Sequence, residues 1–437
     1  YDRVTSDSEL DIILNGVLVV DPVVGIRKTS IGIKDGRIAG IGRAGSPSQT
    51  RGIDLVIGPN TLALTCNGLI ATAGAVDSHV HLLTPRLVPV ALSAGVTTLI
   101  TAGFEEPPYL MDRTLEAFEY LPVNIGLMAC GRSDVRAPVE EVIEAGACGI
   151  KIHEDFGSYP EIIDSVLRVA DDYDVAVALH TDGLNESCEV EDTVAAIDGR
   201  AVHAYHIEGS GGGHIPDLML MVREPNIICS STTPTLPYAR GGAAEQAPMI
   251  VAIHGMDASA PEDWEAARER VHEGTMAAEG PLHDLGAISI INSDSQGMGR
   301  IGETVRRTWQ LAHEMKQWRA GRGDATPDDD NARILQYIAK YTYNAARTHG
   351  IAHEVGSLAP GLRADIVLWE PAFFGVKPAA VLKGGAVAWG AVGDGNASID
   401  RCMPVTYGPL WGGLGPAAAS TSAPSVRIAN RSAPGCG

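Results

Sequence analysis

Eight short apolar runs, each followed by a stretch able to form a helix, constrain this chain more than any other feature of its sequence. They are "IATAGAVDSHVH", "GVTTLITAG", "VNIGLMACG", "CGIKIHED", "DVAVALHTD", "RAVHAYHIEG", "NIICSSTTP" and "AISIINSDSQ". Near-continuous apolar strands separated by helices specify a parallel sheet covered on both faces. Eight of them predict an α/β fold of the closed (β/α)8, TIM-barrel type, which works at the carboxyl ends of its strands. Helix candidates between the runs include "PEIIDSVLRVADDY" and "APEDWEAARERVHEGTMAAEG"; the second opens on Pro261 and acidic residues, as a helix amino terminus should.

The chain ends follow a different pattern. "LDIILNGVLVVDP" and "SIGIKDGRIAGIG" carry Asn-Gly and Asp-Gly hairpin signals, and "VGSLAPGLRADIVLWEP" and "AVLKGGAVAWGAVG" have the same short-strand, glycine-rich character. The two ends are expected to pair into one small β-rich domain, residues 1–66 and 349–411, around a metal-dependent hydrolase barrel at 67–348. Residues 412–437, rich in Ala, Ser, Pro and Gly, read as a loosely ordered tail.

At 437 residues, 45% of them hydrophobic, the chain can bury a core of this size. Its 54 acidic residues against 33 basic ones leave a net charge of −21, which disfavours nucleic acid and anionic membrane surfaces as partners. No apolar run is long enough to span a bilayer. The seven cysteines are scattered without a C-x-x-C pair, which suits reduced thiols and a cytoplasmic location. Cys66, Cys130, Cys148 and Cys229 read as small core residues without chemistry.

The polar residues gather where the apolar runs stop. Alternation in the first run sends His79 and His81 to one face. The fourth run ends with Lys151 and His153, the fifth with His180, the sixth with His206 and the eighth with Asp294, so these side chains should ring one barrel mouth. A single histidine in an apolar setting is usually a packed core residue, and HxH alone occurs in many strands. A ring of histidines with a lysine and an aspartate is different, because burying such groups without partners costs several kcal/mol, on the order of the loss of a hydrogen bond for each. Metal is the economical explanation. Burial disfavours the ammonium form of a lysine, and a neutral amine reacts with carbon dioxide; the resulting carbamate on Lys151 offers two anionic oxygens that bridge two cations. An ion pair of Lys151 with Glu154 or Asp155 is the ordinary alternative.

With these residues in view, the sequence resembles the catalytic alpha subunit of urease, within the amidohydrolase superfamily. "SHVH", "LPVNIGL", "GIKIHEDFG", "LHTDGLNESCEVEDT", "HIEGSGGGH", "SSTTPTLPY", "LHDLGAIS" and "SDSQGMGRIGETVRRTWQ" look like urease blocks in order, over about residues 9–412. The resemblance implies two Ni2+ ions per chain bridged by carbamylated Lys151, with His180 and His206 on one metal and His79, His81 and Asp294 on the other. It implies that His153 hydrogen-bonds the substrate carbonyl and that His254 in "VAIHGMD" is the general acid. Arg270 falls where the family has a flap arginine, Asp155 where it has a carboxylate oriented toward the flap histidine, and Gly211 where a backbone carbonyl receives a substrate amide. Gly297 joins the substrate-binding set, at a position where ureases typically present alanine. The implied partners are a small amide or ureido substrate, further copies of the chain in a homo-oligomer, and urease-like small subunits.

The departures bear on specificity. Ile253 precedes His254 where ureases usually have cysteine, and "TAGFEEPPYLMDRTLE" is shorter than the urease segment whose backbone carbonyls cage urea. The expected activity is hydrolysis of urea or of a related, larger amide; a catalytically silent urease-like protein with a structural or binding role is the alternative. The ligand types alone also suit zinc, iron and manganese.

Overall fold

The computed structural model describes residues 9–82, 84–103, 108–153, 159–180, 189–209, 217–236, 243–269, 271–324, 329–390 and 405–406. Every one of the apolar runs contains a strand: Ala75–Val80, Val96–Thr101, Asn124–Gly126 with Met128–Gly131, Gly149–Ile152, Ala176–His180, Val202–Tyr205, Ile227–Thr232 and Ile288–Asn292. All pair in parallel, three strand segments in one sheet and six in another, the split falling at Leu127 inside the third run. A parallel bridge between Val80 and Ser295 links the first run to the end of the last. Ala75–Val80, Gly149–Ile152 and Val202–Tyr205 are buried at every position, as the unbroken apolar runs require of strands covered on both faces.

The helices follow their sequence signals closely in one case and less so in another. Pro160–Tyr173 begins at its proline, buries Ile163, Val166, Leu167 and Ala170 along one stripe, and stops where Asp174 turns to φ 52°. The long candidate beginning at Ala260 is two helices, Pro261–Glu269 and Glu273–Leu285, because His272 adopts an extended backbone. Val271 there packs against the buried cluster of Ala247, Ile250, Val251 and Ala267, a tertiary contact that helix propensity does not encode.

The chain ends meet in one nine-stranded sheet. Its order runs Val405–Thr406, Ala386–Gly390, Ala380–Lys383, Ile366–Trp369, Ile70–Ala73, Ile12–Asp21, Gly25–Lys34, Arg37–Gly42, with Leu62–Thr65 also on Ile12–Asp21. Ile70–Ala73 carries this sheet past residue 66, so "IATAGAVDSHVH" serves two sheets in succession. Asp35-Gly36 forms the expected hairpin turn, both residues at positive φ. Asn15-Gly16 instead makes a bulge inside a strand, where Ser30 Oγ donates to Asn15 Oδ1 at 2.9 Å and accepts from the Gly16 N–H at 3.3 Å. The actual turn follows Asp21, whose buried carboxylate accepts from the Val23, Val24 and Leu358 amides and from Ser357 Oγ, tying the two ends together. The tail at 412–437 lies outside the described residues. Among the described residues no helix is long and apolar enough to cross a membrane.

Candidate metal centre

The first parallel strand delivers His79 and His81 to the same face, and the turn after the last delivers Asp294 opposite them. Nε2 of His79 and of His81 lie 3.3 and 3.0 Å from Asp294 Oδ1. This trio is the one group of three potential metal ligands among the described residues whose donor atoms all lie within 4.8 Å of one another. Beside it, His206 Nε2 and His180 Nδ1 approach to 2.8 Å, and the His79 and His206 ring centroids are 5.8 Å apart. Lys151 is 1% exposed, its Nζ 3.7 Å from the centroid of the Tyr205 ring. His153 stands just beyond its strand with its ring centroid 3.9 Å from that of His180.

The electrostatics keep His79 and His206 neutral. Burial, then the charges of Lys151, His81, His206 and His180, hold His79 well below the usual histidine range. Burial again leads for His206, followed by His180, Lys151, His153 and His254. Neutral imidazoles present lone pairs, which is the form that binds a divalent cation. His206 and Asp294 also sit at φ 33° and 50°, a region that side chains rarely adopt and that is tolerated where the surroundings enforce it.

His254 follows the helix Ala243–Ile253 and donates its backbone N–H to Ile250 O, so the chain is helical up to this residue. Gly297 lies against the trio: a Cβ there would sit 2.4 Å from Asp294 Oδ1 and 2.9 Å from His81 Nε2. Gly103, at φ 76°, is similarly confined, since a Cβ would meet Lys151 Cβ at 2.1 Å. Asp155, Arg270 and Gly211 lie outside the described residues, as does the side chain of Ile253.

Two supporting residues escaped the sequence reading. Asp77, fully buried, accepts from the Ser293 amide at 3.0 Å, the His79 amide at 3.3 Å and Thr304 Oγ1 at 3.1 Å, joining the strand of His79 to the turn of Asp294. Alternation places it on the face of His79 and His81, which was the available signal. Tyr205 stacks on His79 with ring centroids 4.0 Å apart and donates its hydroxyl to Ser78 O at 2.6 Å. Nothing in its sequence setting distinguishes it from a core aromatic.

A mixed α/β chain with histidines and an aspartate converging at the ends of parallel strands is the arrangement of an amidohydrolase, a hydrolase acting on C–N bonds other than peptide bonds. Residues 70–396 match the amidohydrolase family and residues 2–64 the N-terminal domain of the urease alpha-subunit. The fold is similar to the D-hydantoinase (dihydropyrimidinase) from Thermus sp., TM-score 0.61 at 15% identity over 86% of this chain and 95% of that one. It is also similar to a putative prolidase from Bifidobacterium longum, TM-score 0.58 at 20% identity over 92% and 97%. Urease subunit alpha 1 of Streptomyces avermitilis is 51% identical, and urease subunit alpha 2 of Streptomyces coelicolor 50%, each over 94% of this chain and 75% of the relative. The chain belongs to the urease alpha-subunit family.

Proposed function

We propose that this chain is the catalytic subunit of a urease-like enzyme that hydrolyses urea or a related small amide or ureido compound. The observation that carries the reading is the convergence of His79, His81 and Asp294 beside His180, His206 and the buried Lys151. We take the parallel strands to close into a (β/α)8 barrel over 67–348, with 1–66 and 349–411 forming the small β-rich domain. The donor set of four histidines and one aspartate fits two divalent cations, with His79 and His206 held neutral and Lys151, as a carbamate, supplying further negative charge. Nickel is the metal proposed, on the family relationship, and bound metal there supplies Lewis acidity toward a carbonyl and acidifies a water near neutral pH.

The chain's own residues do the rest. His153 orients the substrate by a hydrogen bond to its carbonyl oxygen. His254 delivers a proton to the departing nitrogen, a role suited to imidazole because it titrates near neutrality. Asp155 orients His254, Arg270 completes the flap, the Gly211 carbonyl accepts an N–H group of the substrate, and Gly297 lines the substrate site. Small urease-type subunits and further copies of the chain are the proposed partners, in the cytoplasm. The test is ammonia release by nickel- and bicarbonate-treated protein over urea, biuret, allophanate and cyclic ureides. Turnover of at least one is expected; a metal-replete protein that releases ammonia from none contradicts the reading.

A further inference from the structure

Tyr205 closes the strand Val202–Tyr205, and His206 follows it directly. Its side chain is fully buried. The ring lies nearly parallel to that of His79, with 17° between the planes and 4.0 Å between the centroids, and Lys151 Nζ stands 3.7 Å from the same ring centroid. These contacts join strands that no ladder joins directly among the described residues. Gly149–Ile152 is separated from Val202–Tyr205 by Ala176–His180, and Ala75–Val80 belongs to the other parallel sheet. One side chain therefore touches His79 and Lys151, and its own main chain leads into His206.

The hydroxyl acts on backbone rather than on a side chain. Pairing of Ala75–Val80 with Val96–Thr101 shifts register between Asp77 and Val80, so the ladder is interrupted at the peptide that joins Ser78 to His79. Side chains hold that peptide at both ends. Its carbonyl accepts from the Tyr205 hydroxyl at 2.6 Å, and its N–H donates to Asp77 Oδ1 at 3.3 Å. Turning the peptide would swing the His79 imidazole, whose Nε2 lies 3.3 Å from Asp294 Oδ1. The tyrosine ring has little room to retreat, because His203 meets it edge-on at 4.6 Å between centroids and Met128 Sδ is 3.8 Å from the hydroxyl oxygen. His203 is in turn hydrogen-bonded to His349 through ring nitrogens 3.3 Å apart. Burial keeps both of these rings neutral, holding the His203 pKa well below the usual histidine range and that of His349 down at about 4, so the wall behind Tyr205 is uncharged.

We propose that Tyr205 is a positioning residue for both halves of the candidate metal centre: its hydroxyl fixes the peptide before His79, its ring places the His79 imidazole and the Lys151 amine, and its main chain carries His206. The proposal rests on the metal centre of the proposed function. Tyr205 touches no substrate and acts only through the proposed ligands. Removing the hydroxyl alone should then weaken both metal-binding steps, whereas a tyrosine that only fills the core would lose stability and leave them unchanged.

The experiment measures nickel affinity in the presence of bicarbonate, by chelator competition with the equivalents counted by elemental analysis, for the parent, Tyr205→Phe and Ser30→Ala. Tyr205→Phe keeps the ring and removes the hydroxyl. Ser30→Ala is the control, since it removes the buried hydroxyl that holds the Asn15-Gly16 bulge in the nine-stranded sheet. Tyr205→Phe is expected to weaken each of the two binding steps about tenfold, the loss of one hydrogen bond, and Ser30→Ala to weaken neither. Tyr205→Leu, which removes the ring as well, should weaken both steps further; should it fail to fold, the Phe variant decides alone. Unchanged affinities in Tyr205→Phe, an equal loss in Ser30→Ala, or a loss confined to one step would each overturn the proposal and leave the proposed function standing. A folded parent that binds no metal would overturn both.

Discussion

Removing the Asp77 carboxylate should loosen the strand ends that carry the proposed metal ligands. In Asp77→Ala the Ser293 and His79 amides lose their acceptor in a buried setting, while the Thr304 hydroxyl can rotate toward another. A buried donor left unpaired costs about 1–3 kcal/mol, so the two amides together cost about 4 kcal/mol. Set against a total folding stability of about 5–15 kcal/mol, that is a large loss. Asp77→Asn retains a carbonyl oxygen for the amides and should lose less than half as much. The assay is guanidinium chloride unfolding followed by tryptophan fluorescence, guanidinium being chosen because urea is a proposed substrate. The Ala variant should show a lowered midpoint and the Asn variant an intermediate one. Metal retention should fall in the same order, because Ser293 precedes Asp294 and both Asp294 and His79 are proposed ligands. An Asp77→Ala midpoint equal to the parent's would refute the reasoning that this carboxylate holds the two strand ends together.

His254→Ala is expected to lower turnover by about 10²–10⁴-fold, the range for losing a general acid, with metal content unchanged by elemental analysis; lost metal would move His254 into the ligand set. Urea should be a poorer substrate than a substituted ureido compound, because the shortened segment after the second strand would lack part of a cage for the small diamide and Ile253 would add apolar contact at the entrance; steady-state kcat/KM values decide, and a preference for urea over every substituted compound sinks the idea. His349 contributes a pH dependence of known sign. Its folded-state pKa of about 4 lies below the ordinary 6.5, so the unfolded chain takes up a proton first as pH falls. Its contribution is therefore complete above about pH 6.5 and is lost on descending toward pH 4. The parent's Tm should fall more steeply than that of His349→Gln across this window; parallel curves would show that His349 is not the buried neutral group described.

The parallel strands were legible in the sequence because a strand covered on both faces must be apolar at nearly every position, and these runs are. The residues of the candidate metal centre were legible for the opposite reason. His79, His81, Lys151, His180, His206 and Asp294 are polar groups that interrupt or end such runs, and packing alone supplies no reason for them there. Asp77 was within reach, since it shares a strand face with His79 and His81, but a carboxylate whose partners are Ser293 and Thr304 declares itself only when distant segments meet. Tyr205 and the His203–His349 pair were out of reach for the same reason. The break near His272 depends on Val271 packing into a neighbouring apolar cluster, and the Asn15-Gly16 bulge on the Ser30 hydroxyl of the adjacent strand. In each case a contact across the chain overrode a local signal.

The most direct test of the two-metal account is the metal content of protein prepared with nickel and bicarbonate, measured beside Lys151→Ala by elemental analysis, with the parent's lysine read by crystallography. The account predicts close to two metal equivalents per chain, a carbamate on Lys151, and loss of most metal in the folded Lys151→Ala variant. A fully metallated parent with an unmodified Lys151, or a Lys151→Ala variant that keeps both its metal and its turnover, would contradict it.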